Sequence, residues 1–227
     1  MLVEFFGPSG VGKSTTISKI DIQKLNLSHY SKIKNSVEES RSEVRRKMID
    51  FEKGCVNYFT DTALNIISTN EMNNVQKFSV ISMINSSLYE YFKYKIYFSD
   101  RRVIFDEFLL NRANSFLHFS KDYRNDAIRY FSTVPLPDIA ICLAASSDII
   151  IQRFKARNEP RNSYSNLSST ELQKKIIHLN EINKIGIDIL ANRGVKVFRL
   201  KTDNYDDVQA GKKIFDFLSD MFNESTS

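Results

Sequence analysis

The chain has 227 residues, 42% of them hydrophobic and 26% charged, with a formal charge of +5 at pH 7. This is ordinary globular composition, and its length suits one α/β unit with a well-buried core rather than two full domains. Two cysteines exclude a disulfide framework, and no apolar run approaches the roughly 20 residues that span a bilayer.

The first element is the apolar run Leu2-Val3-Glu4-Phe5-Phe6, which reads as a buried strand. Directly behind it stand Gly7-Pro8-Ser9-Gly10-Val11-Gly12-Lys13-Ser14-Thr15, followed by a helix-compatible stretch to Ile20. The pattern G-x-x-x-x-G-K-[ST] between a strand and a helix is that of a phosphate-binding loop. Its glycines let the chain turn tightly and bring backbone N–H groups against phosphate oxygens, and the helix that follows adds its positive end. Lys13 is the charge for the β- and γ-phosphates, and the Ser14 hydroxyl is placed to ligate Mg²⁺. The loop therefore implies a bound nucleoside triphosphate. Because Glu4 and the loop follow the first residue so closely, this end does not read as a signal peptide.

A weaker strand is expected near residues 30–34. From Ser36 to about Ser99 there is no proline and a single glycine, Gly54, and the apolar spacing predicts two or more helices, a large insertion before the next firm strand. Ser36 and Glu39 form a candidate capping box at its start. The aromatic group Tyr89, Tyr91, Phe92, Tyr94, Tyr97 and Phe98 at its end reads as a core-facing helix side.

Arg102-Val103-Ile104-Phe105-Asp106 is the next strand, with Glu107 behind it. An acid at the carboxyl end of a parallel strand lies where open α/β sheets bind ligands. Asp106 is the candidate Mg²⁺ partner through water. Asp106 or Glu107 is the candidate base for an acceptor hydroxyl, the two pointing apart while the chain stays extended. Residues 137–143 form a further strand that contains Cys142 as packing. Arg153, Arg157 and Arg161 follow. Helical spacing places Arg153 and Arg157 on one face, and Pro160 opens a polar segment to Thr170, so residues 157–170 read as an arginine-bearing lid over the transferred group. The last strand, residues 195–200, leads into Lys201-Thr202-Asp203, and the terminal residues 223–227 read as frayed. His29, His118 and His178 have no metal-ligand spacing and read as surface or packing residues.

Four segments together resemble the nucleoside and nucleotide kinases of the phosphate-loop class, thymidylate kinase-like in particular: G-P-S-G-V-G-K-S-T at 7–15, V-I-F-D-E at 103–107, P-L-P-D-I-A-I-C-L at 135–143 with R-F-K-A-R at 153–157, and V-F-R-L-K-T-D at 197–203. The resemblance implies a phosphate-loop NTPase fold, with a central parallel sheet, helices on both faces and a helical insertion covering the acceptor. It implies Asp106 near metal and acceptor, Arg153 and Arg157 on the lid side, and Lys201, Thr202 and Asp203 beside the adenine. Such proteins are often dimers, so it also raises a homodimer as a partner. The sequence departs from thymidylate kinases in carrying Asp106-Glu107 where they usually have Asp-Arg, with Arg112 further on. Asn183-Lys184-Ile185-Gly186 lacks the Asp of a guanine-reading N-K-x-D.

The expectation is one kinase-like domain over residues 1–227, cytoplasmic and using ATP and Mg²⁺, that transfers a phosphoryl group to a small-molecule acceptor, a nucleoside or nucleotide. The alternative is a regulatory ATPase acting on a protein or nucleic-acid partner. The mild basic excess is accounted for by phosphate binding, without a nucleic-acid surface.

Overall fold

The structure, a computed structural model, describes residues 1–37, 41–48, 53–156 and 167–224. The chain order is β1 (Leu2–Phe6), α1 (Lys13–Ile17), β2 (Leu27–His29), α2 (Tyr30–Ile33), α3 (Arg41–Met48), α4 (Lys53–Thr69), α5 (Asn74–Tyr97), β3 (Arg102–Phe105), α6 (Leu109–Phe116), α7 (Tyr123–Thr133), β4 (Ile139–Ala144), α8 (Ser147–Lys155), α9 (Ser169–Asn192), β5 (Lys196–Lys201) and α10 (Asp207–Glu224). The five strands form an all-parallel sheet in the order β2-β3-β1-β4-β5. This is the expected central sheet with helices on both faces.

β1 sits between β3 and β4, pairing Leu2 with Val103 and Phe5 with Ile141. A central strand buried on both faces must be apolar throughout, and all five residues of β1 are buried. Alternation sends them to two cores. Leu2 and Phe6 join Val103, Phe105, Ala140 and Cys142 under α4, α5, α6, α7 and α9. Val3 and Phe5 join Ile104, Ile139, Ile141 and Leu143 under α1, α8 and α10. Each fully buried Phe contributes about 1.5–3 kcal/mol. Burial pushes the Cys142 thiol up to about 12, so it is packing, as expected.

The helical insertion is present as α3, α4 and α5, and Tyr91, Phe92, Tyr94 and Phe98 are buried. Asn73 and Gln76 form the capping box that starts α5. The box expected at Ser36 falls partly on Glu39, outside the described residues. The Ser36 hydroxyl instead donates to the Ile33 carbonyl at 2.7 Å.

The expected strand at 30–34 is wrong by one element. The strand is β2, just before it, and residues 30–33 form α2. Tyr30 turns inward, stacks on Phe105 at 4.3 Å and hydrogen-bonds Glu90 of α5. This long-range packing overrides the local β-propensity of Tyr and Ile. At the other end α10 continues through Glu224, so Asn223 and Glu224 are helical rather than frayed; residues 225–227 lie outside the described residues. Among the described residues no helix is long and apolar enough to cross a membrane.

Candidate functional site

β1 delivers the chain into the loop at residues 7–12, at the carboxyl edge of the sheet. Gly7 has φ 140° and lies so close to β4 that a Cβ would sit 2.2 Å from the Leu143 carbonyl oxygen, so no larger residue fits. Gly12 has φ 102° and precedes Lys13, the first residue of α1. The Lys13 ammonium curls back over the loop and donates to the carbonyls of Gly7 at 2.8 Å and Pro8 at 3.2 Å. Ser14 and Thr15 are exposed behind it. α1 is only five residues long, shorter than the sequence suggests.

The loop is pinned at both ends by residues from other elements. At the far end, the Val11 carbonyl accepts from Arg153 Nη1 at 2.7 Å and from the Thr202 hydroxyl at 3.2 Å. Arg153 Nη1 also donates to Thr202 Oγ1 at 3.1 Å. Asp203 accepts from the Ser146 backbone N–H at 2.9 Å and pairs with Lys201 at 3.4 Å. Arg153, Thr202 and Asp203 are thus brought together, fastening the loop to the ends of β4 and β5. α8 ends at Lys155, so Arg157, Pro160, Arg161 and the expected lid as far as residue 166 lie outside the described residues. Residues 169 and 170, placed in the lid from sequence, belong to α9, which Ser168 and Glu171 start with a capping box.

At the near end, Glu4 is a carboxylic acid on the central strand, 1% exposed, between Leu2 and Phe6 on the α6 side of the sheet. Glu4 Oε1 accepts the backbone N–H of Leu110 at 2.7 Å and of Asn111 at 3.2 Å, capping the open first turn of α6. Burial pushes this carboxyl up to about 8, against the pull of those N–H groups and of the Arg112 charge. The first turn of α6 then presents Asn111 to the loop. Asn111 Oδ1 accepts from the Gly7 N–H at 3.3 Å and from Asn114 Nδ2 at 3.2 Å. Asn114 and the buried Asn183 of α9 exchange two further bonds at 3.2 and 3.0 Å. The Asn183 of the failed N-K-x-D motif is therefore an interior link between α9 and the loop.

Beside the loop opens a cavity of about 570 Å³, walled by Gly7, Ser9 and Lys13 at one end and by Met72, Val80 and Phe119 at the other. That is the size range of small-molecule sites. Glu107 lies on its wall with Oε1 4.0 Å from Lys13 Nζ. β3 ends at Phe105, so Asp106 and Glu107 form a bend rather than a strand end. Glu107 reaches Lys13 and lines both this cavity and a smaller pocket of about 200 Å³, which it shares with Asp106, Tyr30 and Glu90. Arg112 lines both spaces, held by Ser87 Oγ at 2.9 Å and the Glu107 carbonyl at 3.4 Å.

His118, expected to be a packing residue, lines the far part of the cavity. Burial takes its imidazole down to about 3, and Nδ1 lies 3.1 Å from the Asn114 carbonyl, which can only accept, so Nδ1 carries the hydrogen. The ring is neutral packing, with Nε2 buried and without a partner among the described residues.

Sequence reasoning missed Glu4, Asn111, Asn114 and Asn183. For Glu4 a signal was available, since an acid inside a run of Leu, Val and Phe needs a partner. The asparagines carry no such signal, because nothing local marks which of the chain's many asparagines meet.

No family model matches this chain, and no curated protein matches it. Among the solved structures that share its fold are three of deoxyadenosine kinase from M. mycoides. The form with bound dCTP is 18% identical, with a TM-score of 0.53, over 97% of this chain and 100% of the other. The form with the products dCMP and a flexible dCDP is 17% identical, with a TM-score of 0.57 and the same coverage. The form with bound dATP is 18% identical, with a TM-score of 0.53, over 96% and 100%. At that identity the likeness is one of fold: this chain is similar to deoxyadenosine kinases in the arrangement of its sheet and helices along nearly its whole length.

Proposed function

We propose that this protein is an ATP-dependent nucleoside kinase. The observation that carries the reading is the Glu107 carboxylate 4.0 Å from the Lys13 ammonium, both on the wall of one ligand-sized cavity that opens from the phosphate loop. A carboxylate beside the phosphate-holding lysine is what a hydroxyl acceptor requires. Glu107 takes the proton as the acceptor oxygen bonds to the γ-phosphorus, and the bond from that phosphorus to the β-bridging oxygen breaks. ADP leaves with the bonding pair. The deoxyadenosine kinase fold supports a deoxynucleoside as acceptor, and the thymidylate kinase-like motifs support the same class of reaction.

Residues 7–15 hold the triphosphate, and Lys201, Thr202 and Asp203 flank the adenine side. Arg153 positions the loop through Val11. Mg²⁺ usually keeps several waters and takes one or two protein ligands plus phosphate oxygens. No cluster of three or more His, Cys, Asp or Glu side chains occurs among the described residues. The exposed Ser14 hydroxyl, with Asp106 through water, fits that modest demand. When bound, the ion supplies charge neutralisation between the phosphates.

The test is ADP release from Mg·ATP, alone and with pools of deoxynucleosides, nucleotides and sugars, with Lys13→Ala as the blank. A rate that rises with the deoxynucleoside pool, yields the 5′-phosphorylated product and vanishes in Lys13→Ala is expected. Steady release without any acceptor, unmoved by every pool, would make the protein an ATPase instead.

A further inference from the structure

The orientation of one side-chain amide in the site is fixed by its partners. The Gly7 backbone N–H can only donate, so the Asn111 atom that faces it at 3.3 Å must be the oxygen. Asn114 Nδ2 donates to the same oxygen at 3.2 Å. Asn111 Nδ2 therefore points the other way. It has no hydrogen-bond partner among the described residues and is not one of their sealed, unsatisfied atoms. Asn111 is 8% exposed and lines the large cavity, so that nitrogen opens into the cavity beside Gly7 and Lys13. The amide cannot rotate without setting its –NH₂ group against the Gly7 N–H, which loses two hydrogen bonds. Its backbone is held as well, by the Glu4 cap on α6.

A rigid, uncharged donor with nothing to donate to, one amide width from the phosphate loop, is arranged to meet an oxygen of the ligand. Lys13 Nζ is spread over two loop carbonyls and faces Glu107, so it supplies charge there with little directional precision. The amide supplies the direction. We propose that Asn111 touches substrate: its Nδ2 donates to a terminal phosphoryl oxygen of the nucleoside triphosphate. This rests on the kinase reading for the identity of the acceptor, but only on the phosphate loop for the identity of the ligand.

Asn111→Asp separates the two ends of the side chain. It keeps an oxygen for the Gly7 and Asn114 donors and replaces the donor that faces the ligand. Asn111→Ser removes the amide nitrogen together with Oδ1, without adding charge. Equilibrium affinities for Mg·ATP and Mg·ADP are measured by calorimetry on each variant, with melting temperature as the folding control. Both variants are expected to bind ATP about 10- to 100-fold more weakly, with a clearly smaller loss of ADP affinity. Asn183→Ala, which loosens the amide chain from behind, should shift ATP and ADP together. Loss of both affinities alike in the folded Asn111 variants, or of neither, would overturn the proposal. If the wild-type protein binds ATP yet phosphorylates no deoxynucleoside, the kinase reading fails while the ATP-to-ADP ratio still decides the role of Asn111.

Discussion

Replacing Glu4 by Gln should raise stability at neutral and alkaline pH and flatten its pH dependence. In the folded protein burial holds the Glu4 carboxyl near 8, and in the unfolded chain it titrates near 4.5. Between those values the folded state binds the extra proton, so raising the pH favours unfolding. The slope is at most about 1.4 kcal/mol per pH unit. The penalty is absent below 4.5, builds across the window and is complete above about 8. The full displacement from 4.5 to about 8 corresponds to a ceiling of about 5 kcal/mol. That is a large part of the roughly 5–15 kcal/mol that holds a typical domain together. Gln keeps the oxygen that caps Leu110 and Asn111 and carries no charge to bury. Tyr130, the neighbouring titratable group, is kept neutral through the window by its own burial and donates to the Leu109 carbonyl at 2.7 Å. Urea unfolding followed by circular dichroism at pH 5, 6, 7, 8 and 9 reads the effect. The Gln variant should gain on the wild type with each step up to pH 8 and no further. Parallel curves for the two proteins would refute the reasoning, because they would mean that Glu4 titrates alike in the folded and unfolded chains.

Glu107→Gln should lower kcat about 10²- to 10⁴-fold at near-constant KM for ATP, the loss expected of a general base. Asp106→Asn, facing the smaller pocket, should act chiefly through the Mg²⁺ concentration required; steady-state kinetics that reverse this ranking would move the base to Asp106. Gly186→Ala places a methyl group 2.7–2.9 Å from ring atoms of Phe131, a ring wedged between Phe6 and Tyr130. Overpacking of about 1–3 kcal/mol then competes with about 1 kcal/mol gained in helix propensity. A lowered melting temperature is expected, and a raised one would show that Phe131 gives way freely.

What the sequence determined by itself is whatever is encoded by contiguous residues. The loop at 7–15 needs glycines at fixed offsets from Lys13, and the segments 2–6, 102–106, 137–143 and 195–200 stand out as short runs rich in Val, Ile, Leu and Phe, as strands of a parallel sheet require. Those signals survive without knowledge of the rest of the chain, and they located the sheet and the helical insertion. Tertiary structure decided the rest. Residues 30–33 became a helix because Tyr30 finds Phe105 and Glu90, partners more than fifty residues away. β3 stops at Phe105 and the chain bends at Asp106 and Glu107, so Glu107 reaches Lys13 and lines both pockets while Asp106 lines the smaller one. Arg153, which reads as a cation for the transferred group, places its Nη1 on the Val11 carbonyl and the Thr202 hydroxyl, contacts that only the fold reveals. Glu4, Asn111, Asn114 and Asn183 are spread over 180 positions of sequence, and folding gathers them behind one glycine amide. Hydrogen bonds between distant polar side chains leave no periodicity to read, so packing alone determines which of them meet.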